Sequence, residues 1–237
     1  RLKFRELYAI SPLGVVGTMC AGMVNGTMNS MGPVFAKDSG LSLAELSTFM
    51  AVVIMGGMVL QYPVGRLSDL WDRRSVLLLT ATGTTLAAFA IIWASDQTGY
   101  WLFAAGAIYG AFVYTIYPLS GAPINDLADP DKLVQISSGL LIAFGSGAVI
   151  GPIVASQLMG LTGPKGMFVF TGTVTGLLAL FVIYRMIRRG RGLKSKAIYL
   201  PLGALGLSSK QFYNSTMRTL RGRVEDAKKG SDQAPLS

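Results

Sequence analysis

Within ten residues, the stretch "GRLSDLWDRR" (Gly65–Arg74) sets two carboxylates, Asp69 and Asp72, beside three guanidiniums, Arg66, Arg73 and Arg74. Charges at this density can pair with one another, terminate helices, or engage an oppositely charged surface. They stand in a chain that is otherwise poor in charge: of 237 residues, 51% are hydrophobic and 14% charged, against about 25% charged in soluble domains. There is no histidine, and Cys20 is the only cysteine. No intrachain disulfide is possible, and neither a zinc site nor a histidine base can be assembled. An intramembrane serine protease would need a Gly-x-Ser-Gly nucleophile. The nearest match, "FGSG", has Phe144 where the first glycine belongs. No catalytic residue, metal or cofactor is expected, and the chain is not read as an enzyme.

The elements around this charged island are apolar runs at residues 9–36, 44–65, 75–95, 99–122, 133–160 and 165–186. Roughly 20 residues of helix cross a 30 Å hydrocarbon layer. Six such runs predict an all-α integral membrane fold with six spans and the lipid bilayer as its first partner. Numbered alternately, the loops on one side hold Arg1, Lys3, Arg5, then Arg66, Arg73 and Arg74, then Lys132 and the whole C-terminal tail. The other side holds Lys37 and Lys165. Cationic loops stay cytoplasmic, so both termini are expected on the cytoplasmic side of a plasma membrane.

From Arg185 onward the chain carries 12 Lys and Arg against 3 Asp and Glu, which accounts for the entire net charge of +9. The basic balance therefore gives no reason to expect nucleic acid. Residues 187–237 are expected to form a largely disordered basic tail. A solvated tail that sets topology and a surface for anionic lipid headgroups are both open readings. The chain opens on Arg1 without the small-residue cleavage site of a signal peptide, so it is expected to begin in a loop of something longer.

The six spans fall into two groups of three. The first span holds Gly22-x-x-x-Gly26 and then Pro33; the fourth holds Gly106-x-x-x-Gly110 and then Pro118. Glycine- and proline-interrupted segments at matching places suggest two repeats, the second inverted because three spans is an odd number. The fifth span carries Gly147-x-x-x-Gly151 followed by Pro152, which should kink it, and the sixth carries Gly172-x-x-x-Gly176. Small residues four apart let helix backbones approach closely.

The island spacing, Gly65, Asp69, then Asp72-Arg73-Arg74, resembles the loop signature G-x-x-x-D-x-x-G-[RK]-[RK] of the major facilitator superfamily. That loop lies between the second and third helices of a half. "GAVIGPIVAS" is similar to the family's Gly-x-x-x-Gly-Pro element, with Ala155-Ser156 in place of Gly-Gly. The wording "SPLGVVG", "QYPVGRLSD" and "DRRSVLLL" looks most like the C-terminal half of a YcaD-like bacterial branch, over residues 7–186, with no part for the tail. Asp72 stands where the family has glycine, so the turn should be built differently, with Asp72 pairing to a neighbouring arginine.

The resemblance implies one half of a twelve-helix transporter, with a 3+3 inverted repeat and the missing N-terminal half as partner. It implies alternating-access transport of a small solute, with an efflux antiporter among the options. It further implies that Gly65 and Arg66 belong to a gating loop. Asp69 would be its latch anion, set against a helix N-terminus of the other half. Arg73 and Arg74 would be the cations, with Asp126 the nearest local carboxylate. Gly147, Gly151 and Pro152 become a packing and kink motif.

By the same analogy the first and fourth spans line a central cavity, which makes Asn25, Asn29, Tyr109, Tyr114 and Tyr117 the substrate-pathway candidates. Asn25 and Asn29, four apart, share a helix face. An unsatisfied amide in hydrocarbon is costly, so both should face protein or water. No span centre carries a charged residue, so this half should meet solute through hydrogen bonds and aromatic faces. The alternative is a permease subunit driven by a separate ATPase, although "PINDLADPDKLV" lacks the Glu-Ala-Ala pattern of a coupling segment.

Overall fold

A computed structural model describes residue 8 and residues 11–97, 100–127 and 133–189, with side chains for all of these except 122–127, 133 and 189. The expectations for Arg1, Lys3, Arg5, Lys132 and the tail from residue 190 onward lie outside the described residues. Those described form seven helices and no strand: α1 Pro12–Asp38, α2 Leu43–Leu70, α3 Arg73–Ala94, α4 Tyr100–Val113, α5 Ile116–Leu127, α6 Leu133–Thr162 and α7 Gly166–Arg189.

Local chemistry sets the helix starts. Ser11 caps α1 by accepting from the Gly14 N–H at 3.2 Å, with Pro12 in the first turn, where its missing N–H costs nothing. Ser42 and Glu45 form a reciprocal capping box on α2: the Ser42 N–H donates to Glu45 Oε2 at 2.9 Å, and the Glu45 N–H donates to Ser42 Oγ at 3.4 Å. Gly40 (φ +84°) and Gly163 (φ +77°) make the α1–α2 and α6–α7 turns in the left-handed region that disfavours side chains.

The structure refines two expectations. First, among the described residues, five of the six expected spans are long and apolar enough to cross a membrane by length and composition: α2, α3, α4 with α5, α6 and α7; α1 is not among them. At 27 residues α1 has ample length, about 40 Å, but less hydrophobicity. The reason is its position, since fifteen of its residues are buried against neighbouring helices and need not be apolar enough for lipid. Second, the run at 99–122 is two helices, with a break at Tyr114 and Thr115. By contrast, α6 continues as one helix through Pro152, and α1 through Pro33.

Packing is dominated by three helix pairs: α1 with α6, α2 with α4, and α3 with α7. In the first, Gly22 lies on the Phe144 carbonyl, and a Cβ on Gly26 would come within 2.7 Å of the Ala148 backbone. Reciprocally, Gly147 lies on the Met19 carbonyl and Gly151 on that of Met23. The contacts advance by four on both helices, so α1 and α6 run parallel. In the second pair Gly110 lies on the Val53 carbonyl and Gly56 on that of Ala107. Any side chain at these positions would force the backbones apart. The third pair is joined by the Thr85 and Thr175 hydroxyls, 2.8 Å apart. Gly172 and Gly176 face α3 at ordinary contact distance, consistent with plain helix packing.

Two further buried hydroxyls are satisfied within their own helices: Thr84 donates to Thr80 O at 2.8 Å and Ser120 to Ile116 O at 2.7 Å. Thr18 Oγ1 and Thr27 Oγ1 of α1 are buried without a hydrogen-bond partner among the described residues. The core has two parts. At one end Phe35, Phe49, Phe103, Tyr109 and Phe168 interlock, with Phe35 edge-on to Phe168 at 4.7 Å between centroids. At the end bearing Gly65–Arg74, the core is aliphatic, built on Val64, Val76, Leu77, Ile116, Leu119 and Val182.

Candidate functional site

The island is two helix ends rather than a loop. α2 runs through Leu70, only Trp71 and Asp72 lie between the helices, and α3 starts at Arg73. Asp72 caps α3: its carboxylate accepts from the Arg74 N–H at 3.1 Å, with extended backbone (φ −63°, ψ 119°). A residue with ordinary φ that caps the following helix explains how this chain dispenses with the family's glycine. The contact seen for Asp72 is thus to the Arg74 backbone, where pairing to an arginine side chain was expected.

The remaining charges sit at the wrong helix ends. Asp69 lies in the last turn of α2, facing the negative end of that helix's dipole. Arg73 and Arg74 lie in the first turn of α3, at its positive end. Each placement costs about 0.3–1 kcal/mol at an exposed terminus. Arg73 Nη2 approaches Asp69 Oδ1 at 4.0 Å, and the Asp69 side chain is 64% exposed. Arg74 Nη1 is buried without a hydrogen-bond partner among the described residues. Arg66 stacks over the Tyr62 ring, 5.0 Å from its centroid. Gly65 has no neighbour that a Cβ would meet, so nothing within the described residues requires glycine there. Asp126 lies in the last turn of α5, but its side chain falls outside those described.

Beside the island is a cleft of about 220 Å³, whose lining includes Gln61, Ser68, Asp69, Arg73, Thr115 and Pro118. Ser68 and Thr115 escaped the sequence reading. Pro118, four residues after Tyr114, was the signal that the fourth span would break there.

The pathway candidates separate. Tyr114 and Asn29 come together, the tyrosine hydroxyl facing Asn29 Oδ1 at 3.5 Å across α1 and the α4–α5 break. Asn25, one turn along α1, is 7% exposed, and its Oδ1 has no partner among the described residues. Tyr117 is 37% exposed and meets the Phe144 ring edge-on at 4.9 Å. Tyr109 is removed from any open surface: it is fully buried, edge-on to Phe168 at 5.3 Å. The aromatic core claims it because its ring fills the space between α4 and α7.

The family model "Major Facilitator Superfamily" matches residues 14–216. The chain belongs to the major facilitator superfamily. The match to this superfamily continues past residue 186, so the start of the tail takes part in it, contrary to expectation. Relatives include the proteins named "Uncharacterized MFS-type transporter YcaD" of Salmonella paratyphi B and of Salmonella newport. Each is 28% identical over 182 residues, covering 77% of this chain and 45% of the relative. The chain therefore spans about half the length of the curated superfamily relatives it matches.

Proposed function

We propose that this chain forms a six-helix half of a secondary active transporter that moves a small solute by alternating access. On this reading residues 1–186 are the membrane unit and 187–237 a basic tail. The cationic end faces the cytoplasm, and the partner is a second six-helix half. The observation that carries the reading is the island. Its spacing matches the superfamily's loop, and Asp69, Arg73 and Arg74 occupy helix ends that disfavour their charge. Departures from local electrostatic preference concentrate at functional sites. An anion in the last turn of α2 is stabilised when the positive N-terminus of another helix docks on it, as a latch between two halves requires.

The helix pairing supports the 3+3 inverted repeat. The first span packs on the fifth, the second on the fourth, and the third on the sixth. That pattern maps onto itself when spans one to three exchange with four to six. Asn25, Asn29, Tyr114 and Tyr117 are this half's contribution to the solute path, which favours hydrogen-bonding, uncharged portions of a solute. Nothing favours a subunit driven by a separate ATPase.

Complementation tests the half reading. Residues 1–237 expressed alone should insert in the membrane and give no solute flux in vesicles; co-expression with the complementary half of a YcaD-type relative should restore it. Robust flux from residues 1–237 alone would overturn the proposal.

A further inference from the structure

The break in the fourth span has a local cause. Pro118 lacks an N–H, so the carbonyl of Tyr114 four residues earlier loses its helical donor, and the proline ring crowds that carbonyl. The backbone tightens in response: the Thr115 N–H bonds back three residues to Phe112 O at 3.2 Å, and the Tyr114 N–H reaches Gly110 O at 3.4 Å. Thr115 Oγ1 donates to the same Phe112 carbonyl at 2.6 Å. A joint of this kind inside a membrane bundle needs support from neighbouring helices.

Tyr114 provides that support from two sides. Its ring lies across Gly57 of α2, where a Cβ would stand 2.5 Å from the ring's Cδ2. Its hydroxyl faces Asn29 Oδ1 of α1 at 3.5 Å, a weak contact longer than the roughly 2.5–3.0 Å of an ordinary O–H···O bond. Directly past the joint, Thr115, Pro118 and Leu119 form one wall of the cleft whose facing side carries Ser68, Asp69 and Arg73. A single side chain thus touches a candidate pathway residue and stands at the joint that carries the wall over the island.

We propose that Tyr114 is a positioning residue that couples the solute path to the Asp69–Arg73 island. Its seat on Gly57 and its contact with Asn29 set the angle between α4 and α5, and with it how closely α5 covers the cleft. A solute group that competes for the Asn29 amide releases the Tyr114 hydroxyl and loosens the joint. The inference deepens the transporter reading and rests on it for this last consequence; the joint itself is tested without any solute.

The test is thiol labelling in the protein expressed from its natural coding sequence, in a cysteine-free background that includes Cys20→Ser. Ser68→Cys reports on the cleft, where Ser68 is 6% exposed. Gln97→Cys, in the exposed turn at the opposite end of the bundle, is the control. Alkylation by a small maleimide is followed in permeabilised membranes.

Tyr114→Phe keeps the ring on Gly57 and removes the contact, and should speed labelling of Ser68→Cys by about five-fold or more, the low end of ordinary coupling between sites. Asn29→Ala should do the same, and the two combined should add little, since they delete one interaction. Gly57→Ala, which unseats the ring, should exceed both. Unchanged labelling in Tyr114→Phe and Gly57→Ala would overturn the proposal, as would equal acceleration at Gln97→Cys, which marks general loosening. If labelling responds while neutralising Asp69 leaves flux intact, the latch reading fails and the joint stands.

Discussion

The two ends of the bundle solve the same problem differently. At the end opposite the island, five aromatic rings interlock, glycine turns close the α1–α2 and α6–α7 connections, and Lys165 Nζ pairs with Asp96 at 2.6 Å from both carboxylate oxygens. Glu45, in turn, is held by the Ser42 capping box. At the island end the core is aliphatic, a cleft remains open, and Asp69, Arg73 and Arg74 stand against the dipoles of their own helices. The first end is closed by its own aromatic packing. The second is the end at which the proposed latch would dock.

The largest expected effect comes from cutting into the aromatic end. Phe168, fully buried against Phe35 and Tyr109, should cost about 3–5 kcal/mol when changed to Ala. Leu119→Ala in the aliphatic cluster should cost about 2 kcal/mol, the low end for such truncations, because the adjoining cleft lets neighbours relax. Reversible denaturation in detergent compares the two; equal losses would break the distinction between the ends.

Asp72→Ala removes the cap of α3 and should cost about 1 kcal/mol, whereas Asp72→Gly should cost only a few tenths. The same denaturation assay reads both, and a glycine variant as damaged as the alanine would show that Asp72 does more than cap. Lys165→Ala breaks an exposed pair, with side chains 37% and 64% exposed. The loss should stay below about 1 kcal/mol and shrink in high salt. A larger, salt-independent loss would mean that the pair holds the aromatic end together.

These contrasts also mark what was legible in the sequence. Membrane class followed from apolar runs too long for anything else, and the island from charge spacing that survives any uncertainty about helix ends. The close-packing glycines were readable as pairs. Their partners were not, because which backbone meets Gly22 or Gly110 is decided by three-dimensional assembly. α1 was read as one more apolar span, since a linear count cannot see that Thr18, Asn25 and Thr27 are shielded by other helices. The island was read as a turn because charge is ordinarily taken to end a helix, yet α2 continues to Leu70. Tyr109 and Tyr114 looked alike as residues on one span. Burial separates them: one fills the aromatic core, while the other reaches Asn29 across the break that Pro118 makes.

The central claim is that Asp69 is retained for docking rather than for the stability of its own helix. The direct measurement is Asp69→Asn in the full transporter, with folding stability and solute flux read on the same preparation. Stability should change by less than about 0.5 kcal/mol, because removing an anion from a helix C-terminus offsets the loss of its long contact with Arg73. Flux should fall about ten-fold, as expected when one charge-assisted bond of roughly 1.5–3 kcal/mol is lost from a conformational equilibrium. Flux at the wild-type level, or a loss that only tracks unfolding, would contradict the account.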